Sequence, residues 1–310
     1  QVSATLNLLT WLGARTRWLR LGTAVLVLPW HNPVLLAEQA APLTRPNVEF
    51  IPCDLLAPEM VKRLPGRASA VIHLAADRRS RVGPSEFSHQ ARSNMTMTSL
   101  VADYAALAHA QAVLYASSSA VYSGVSRLPF REDDLQLPAE HLGATKLAAE
   151  AMLKARATAG QFKVVALRLF TTYGPRSGPD QFVPDAMAKL LSPEPVAFFL
   201  NPDVERDFIF VEDVGLAFLK GLEYLPRAGA YEVFNIGSGK ATPVRMVIEL
   251  LKRVLGSTKP VRYETASTTV VDVRHQADIR RAAELLGWQP SVNLDEGLRR
   301  TVEAFQPVVP

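Results

Sequence analysis

From about residue 47 onward, short apolar runs alternate with stretches of helical periodicity. Residues 48–52, 70–75, 112–116 and 164–169 are brief and rich in Val, Ile, Leu or aromatic side chains. Most do not alternate polar and apolar positions, which predicts strands buried on both faces. Between them, residues 58–64, 84–109 and 141–160 carry helical patterns. Strands separated by helices imply right-handed crossovers and a doubly wound parallel sheet of the α/β class. Beyond residue 175 the pattern loosens. Helices near 181–191, 211–224, 242–255, 278–286 and 294–306 are joined by loops bearing Pro and Gly, with short strands at 208–211 and 231–236. A smaller C-terminal domain leaning on the sheet edge is the expectation.

Residues 1–46 follow a different pattern. Residues 2–18 suit an amphipathic helix, 19–29 a strongly apolar strand, and 33–41 a helix opened by Pro33 in its first turn. The turn of this strand–helix unit is Trp30-His31-Asn32-Pro33, an atypical opening for such a sheet.

Composition narrows the choices. With 48% hydrophobic and 21% charged residues, the chain is globular rather than disordered. Its best apolar run, 21–30, is about half the roughly 20 residues a membrane-spanning helix needs. A single cysteine, Cys53, excludes an internal disulfide and a thiolate zinc cluster. It fits a reducing cytosol, so a cytoplasmic protein with no metal is expected, and no signal peptide is legible. Lys and Arg number 34 against 30 Asp and Glu, with no basic block. That disfavours nucleic acid and suits a mildly basic cleft for a phosphorylated small molecule.

Parallel sheets bind ligands beyond the carboxyl ends of their strands, so the residues that follow each run are the candidates for chemistry. Cys53-Asp54-Leu55 follows the first. Ala75-Ala76-Asp77 follows the second, small enough to let a flat ligand reach the backbone. The third leads into Ala116-Ser117-Ser118-Ser119-Ala120-Val121-Tyr122, a hydroxyl cluster. Each alone has a structural reading, as helix cap or turn former. Three on consecutive strand ends outweigh it.

These segments resemble the NAD-dependent epimerase/dehydratase family, the extended short-chain dehydrogenases acting on nucleotide sugars. The resemblance covers about 47–306. It runs through Phe50-Ile51-Pro52-Cys53-Asp54-Leu55, Val71-Ile72-His73-Leu74-Ala75-Ala76, Ser117-Ser118-Ser119-Ala120-Val121-Tyr122 and Gly143-Ala144-Thr145-Lys146 with Glu150. Further matches are Arg168-Leu169-Phe170 with Tyr173-Gly174-Pro175, Arg206-Asp207-Phe208-Ile209 with Asp213, Asn235-Ile236-Gly237-Ser238-Gly239, and Asp278 with Leu286-Gly287-Trp288. It implies a Rossmann-like domain over 47–175, to which 206–237 returns, and a substrate domain mainly over 176–310. Asp54 and Leu55 would flank the adenine of NAD or NADP, with Leu74, Ala75 and Ala76 lining its channel and Asn94 and Ser117 beside it. Ser118 matches the catalytic hydroxyl, and Lys146 would hold the nicotinamide ribose. Ser119, Arg206 and Asp272 would face the nucleotide sugar, and helices 84–109 and 141–160 would form a homodimer. Thr269 replaces an arginine that the family often carries three residues before Asp272.

Two departures stand out. The family's Tyr-x-x-x-Lys puts a phenol and an ammonium on one helix face. The lysine lowers a pKa of about 10 so that the phenolate can accept a hydroxyl proton. Four residues before Lys146 stands Leu142, which carries no proton. His141 beside it points about 100° away on a helix and reads as a surface residue. Tyr122 and Tyr173 read as wall residues. The second departure is the phosphate loop: no Gly-x-x-Gly-x-x-Gly spacing precedes Asp54.

Residues 9–43, with Ala14-Arg15-Thr16, Leu21-Gly22-Thr23-Ala24-Val25 and the run from His31-Asn32-Pro33 to Ala41, resemble a fragment of bacterial luciferase-like flavin monooxygenases. A (β/α)₈ barrel takes about 250 residues, so this piece could form no flavin site alone. The expectation is a fusion near 42–47, its strand standing in for the sheet's first. Three readings follow: an impaired nucleotide-sugar epimerase or dehydratase, a non-catalytic binding or dimerising relative, and, remotely, a flavin monooxygenase.

Overall fold

The computed structural model describes residues 51, 53–78, 84–122, 127–225, 227–265 and 274–305. Their first half holds α1 (Met60–Arg63), β1 (Ala70–His73), α2 (Pro84–Leu107), β2 (Ala112–Ser118), a 3₁₀ turn (Ser119–Tyr122), α3 (His141–Thr158), β3 (Lys163–Leu169) and β4 (Thr171–Tyr173). The second half holds α4 (Phe182–Leu191), β5 (Ala197–Leu200), β6 (Glu205–Phe210), α5 (Val211–Tyr224), β7 (Tyr231–Ile236), β8 (Ala241–Pro243), α6 (Val244–Leu255), β9 (Val261–Glu264), a wide turn (Ala282–Leu286) and α7 (Leu294–Glu303).

The main sheet has the order β1-β2-β3-β7, and its strands run parallel. β2 is buried along its length up to Ser117, which explains why its sequence shows no polar alternation. Its side chains still divide between two faces. Val113 and Tyr115 pack with Ala102 and Ala105 of α2 and Ala149, Leu153 and Ala157 of α3. Leu114 and Ala116 pack on the other face with Val214, Ala217 and Phe218 of α5 and with Trp288. The result is a sheet covered by helices on both sides, the doubly wound α/β fold that the pattern predicts.

The C-terminal elements build a second core. Phe208 and Phe210 of β6 meet Tyr173, Val183, Met187, Val247, Ile248, Leu251 and Leu298 there. β6 pairs with β4 and β8, and β5 with β9, in two small sheets. Within 206–237, β7 joins the main sheet and α5 packs on it, while β6 lies in the small sheet. β6 also begins earlier than expected, because its polar Asp207 is fully satisfied inside the fold. The carboxylate accepts from Ser238 N (2.6 Å), Ser238 Oγ (2.7 Å), Gly239 N (2.9 Å) and Ala277 N (3.0 Å).

The expected helix over 278–286 shrinks to the wide turn Ala282–Leu286, closed by Gly287 at φ 63°. Asp278 is taken by other partners: its N–H donates to Phe130 O (2.9 Å) and its carboxylate accepts from Arg280 N (3.0 Å). Apart from Ile51, the strand expected over 48–52 lies outside the described residues. The strand–helix unit of residues 1–46 lies outside them too.

Candidate active site at the strand ends

The chemistry-bearing residues gather beyond the carboxyl ends of β1 and β2, where α3 passes close. Gly143, in the first turn of α3, allows that approach. A Cβ there would collide with the carbonyl oxygen of Ala120 and stand 3.0 Å from Pro138 Cβ. The contact docks the start of α3 on the 3₁₀ turn and brings Leu142, Thr145 and Lys146 to the strand ends.

Lys146 is 5% exposed. Its ammonium donates to the Ala116 carbonyl (2.6 Å) and sits 4.8 Å above the Tyr115 ring. Three protons meet one acceptor, so among the described residues two lack a partner. Burial, reinforced by the positive charge of Arg78 and opposed by Glu150, pulls its pKa down to about 7. Ser118 ends β2 half-buried, its Oγ accepting from Ala120 N (3.2 Å). The hydroxyl proton stays available to a ligand. Leu142 lies one turn before Lys146 on α3, so no phenol accompanies the ammonium there.

The description "NAD dependent epimerase/dehydratase family" matches residues 17–237 of this chain. The chain belongs to that family. Its match starts at residue 17 and so runs through most of 9–43, the stretch expected to be a luciferase-like fragment, and no comparison supports that second resemblance. A UDP-glucuronate 4-epimerase of Thermodesulfobacterium geofontis is 31% identical over 237 residues, covering 76% of this chain and 71% of its own. Among solved structures, MoeE5 in complex with UDP-glucuronic acid and NAD is 33% identical with a TM-score of 0.75, over 83% of this chain and 85% of its own. UDP-glucose 4-epimerase from Thermotoga maritima, with UDP-glucose, superposes with a TM-score of 0.82 at 26% identity, over 97% and 94% of the two chains.

The residues expected to line the cofactor and sugar sites are placed as follows. Leu55 is 1% exposed in a core with Met60, Met97, Val101 and Tyr104, so its side chain packs the fold. Asp54 is exposed and caps its own turn, accepting from Leu56 N (2.9 Å). Leu74 and Ala76 are half-buried and Ala75 buried at the end of β1, where a channel wall is expected.

Asn94 and Ser117 both make hydrogen bonds within the protein. Asn94 Oδ1 accepts from Asp77 N (2.7 Å), while its Nδ2 donates to Asp77 O (3.0 Å) and Thr145 Oγ1 (3.0 Å). Both ends of the carboxamide are engaged, and together they tie the loop after β1 to α3. Ser117 is 3% exposed and its hydroxyl donates to Glu150 Oε1 beneath the site. Ser119 is buried at the start of the 3₁₀ turn. Arg206 stands on β6 in the second sheet, Nη1 donating to Glu205 O (3.0 Å). Asp272 and Thr269 lie outside the described residues.

Tyr122 and Tyr173 are wall residues, 0% and 2% exposed. Tyr122 accepts from Arg168 Nη1 (2.6 Å) and donates to Asn235 Oδ1 (2.8 Å). Burial pushes its phenol well above the usual value, so it cannot serve as a neutral-pH base in place of the missing one. His141 is exposed, its ring 3.9 Å from that of Phe87.

Sequence reasoning passed over His73, although it stands within the matched Val71–Ala76 run. It is 1% exposed, and its Nε2 lies 3.1 Å from Thr98 Oγ1. Thr98 gives its own proton to Asn94 O (2.9 Å), so His73 Nε2 is the donor and Nδ1 keeps a lone pair with no partner among the described residues. Burial, with Lys146 close by, lowers the imidazole pKa to about 3 and keeps it neutral.

Proposed function

We propose that this family member binds NAD and a nucleoside-diphosphate sugar at the ends of β1 and β2, and that its hydride chemistry is severely weakened by Leu142. The observation carrying the reading is the buried ammonium of Lys146, held by one hydrogen bond to the Ala116 carbonyl at the end of β2, one helical turn after a leucine. That geometry fits the nicotinamide ribose, whose hydroxyls would take the two free protons of Lys146. NAD, when bound, supplies a hydride acceptor at a sugar carbon. Ser118 would donate to the reacting sugar oxygen, Lys146 would orient the cofactor, and Ala75 and Ala76 would leave room for the ring. NADP would make the same contacts.

Proton removal from the sugar hydroxyl is the step left without a group. Loss of a positioned acid or base typically forfeits about 10²–10⁴ in rate. Leu142 therefore also favours a second reading, a non-catalytic nucleotide-sugar binder that pairs with a copy of itself. α2 and α3 would form that contact, and α3 leaves Ala144, Ala151 and Ala155 exposed along one face, small enough for a close helix approach. In the same proposal, 47–175 with α5 and β7 serves the cofactor and 176–310 mainly the sugar.

Calorimetric titration with NAD, then UDP-glucose, tests the reading. Micromolar NAD binding followed by sugar-nucleotide binding supports it. A folded protein that binds neither overturns it.

A further inference from the structure

Beneath the site lies a buried polar network that the reading above does not use. Glu150, one turn after Lys146 on α3, and Arg168 of β3 pair with each other, their side chains 4% exposed each. Arg168 Nη2 donates to Oε2 (2.8 Å) and Nε to Oε1 (3.1 Å), a two-point clamp. Ser117 donates to Oε1 and Tyr231 of β7 to Oε2 (3.0 Å). Arg168 Nη1 reaches Tyr122 Oη (2.6 Å) and Glu132 O (3.1 Å).

We propose that Glu150 and Arg168 are positioning residues, which fix Lys146 on α3 against Ser118 on β2. A buried ion pair contributes little stability over a packed apolar pair, so what it can add is a directional role. The connections here have one. Ser117 is the backbone neighbour of Ser118, and Tyr122 closes the 3₁₀ turn that follows it. The Gly143 contact docks the first turn of α3, and packing of Ala149 and Leu153 holds its middle against β2, but apolar contact alone opposes sliding of those later turns only weakly. The hydrogen bonds from Ser117 and Arg168 to one carboxylate oppose it strongly, because hydrogen bonds weaken steeply with distance and angle.

The pair also sets the electrostatics. Lys146 donates to a carbonyl, not a carboxylate. Around it stand His73, held neutral, the Tyr115 ring, the cation Arg78 from the β1 loop, and Glu150 on its own helix. Glu150 is the anion acting on Lys146, and its charge keeps the ammonium protonated to higher pH than burial alone would allow. This inference deepens the reading of the site and rests on it for what the ammonium binds.

The experiment follows Lys146 directly, by NMR titration of protein labelled with 13C at lysine Cε, the signal assigned by its loss in Lys146→Met. Glu150→Gln removes the anion and leaves Arg168 uncompensated. The Lys146 midpoint is expected to fall by about 1 pH unit, and NAD affinity by calorimetry to fall about tenfold. Ser117→Ala keeps the ion pair and cuts the tie to β2. Water then reaches the ammonium, and the midpoint is expected to rise while NAD affinity falls. A purely structural role predicts lower melting temperatures with the midpoint unmoved, and that result in a folded Glu150→Gln overturns the proposal. If Glu150→Gln does not fold, an unmoved midpoint in Ser117→Ala overturns it instead. Wild-type protein that binds no NAD sinks the reading of the site, while the midpoint shifts still decide the positioning role.

Discussion

Leu142 and Lys146 state the chemistry of this chain at the smallest scale. A lysine in this position is suited to tune a phenol, yet the residue one turn earlier carries no ionisable group. Leu142→Tyr is expected to raise turnover of a UDP-sugar by about 10²–10⁴, read as reduced cofactor formed per enzyme. No change, with NAD binding demonstrated, would place the defect elsewhere. Lys146 also links stability to pH. Its folded-state pKa, about 7, lies below its ordinary value of about 10.5. Between those values the unfolded chain binds the extra proton, so this residue's contribution to stability rises with pH from about 7 to 10.5. Below about 7 both states are protonated and the cost of the buried charge is fully present. The melting temperature of wild type minus that of Lys146→Met should therefore climb across the window. A flat difference would mean that the ammonium is hydrated. Ser118, Lys146 and the leucine are all legible in the sequence, because each is defined by spacing within a motif. The true posts of Asn94 and Ser117 are not, since their partners, Thr145 and Glu150, stand 51 and 33 residues away along the chain.

At the scale of elements, the strongest constraint is the approach of α3 to the turn after β2. Gly143 is required there because backbone, which cannot swing aside, occupies the space a methyl group would take. Gly143→Ala is expected to cost about 1–3 kcal/mol and to weaken NAD binding, since the shift moves Lys146 with its helix. Thermal melts and calorimetry on the same preparation check both. Element prediction worked best where burial is symmetric. β2 and β3 were legible as short apolar runs, β7 as a short strand, and α5 as a regular helical pattern. It worked least well where side chains override periodicity. Asp213 accepts from Ser291 N (3.0 Å), Ser291 Oγ (2.7 Å) and Val292 N (3.0 Å), stitching α5 to the segment before α7. No hydrophobic pattern encodes such a tie. The short strands β4, β5, β8 and β9 escaped for a related reason: three or four residues hold too little periodicity to register.

For the whole molecule, Ser118 ends a strand of the main sheet, Lys146 stands on α3 packed against that sheet, and Arg206 stands on β6 beside the second core. If α2 and α3 form the proposed self-contact, the protein should sediment at twice the chain's mass. Ala151→Arg, on the exposed face of α3, should return it to the monomer without unfolding it. A wild-type monomer at all concentrations would end that proposal. By itself, the sequence determined the doubly wound class, the family through its ordered motifs, and the absence of a phenol before Lys146. All of these reside in local pattern and spacing. Only the tertiary structure decided that Asn94 ties a loop to α3, that Ser117 bonds a buried carboxylate, and that β6 joins the second sheet. The reason is physical. Burial and hydrogen-bond partners come from residues far apart in the chain, and a polar side chain's task is set by the partner it meets once water is gone.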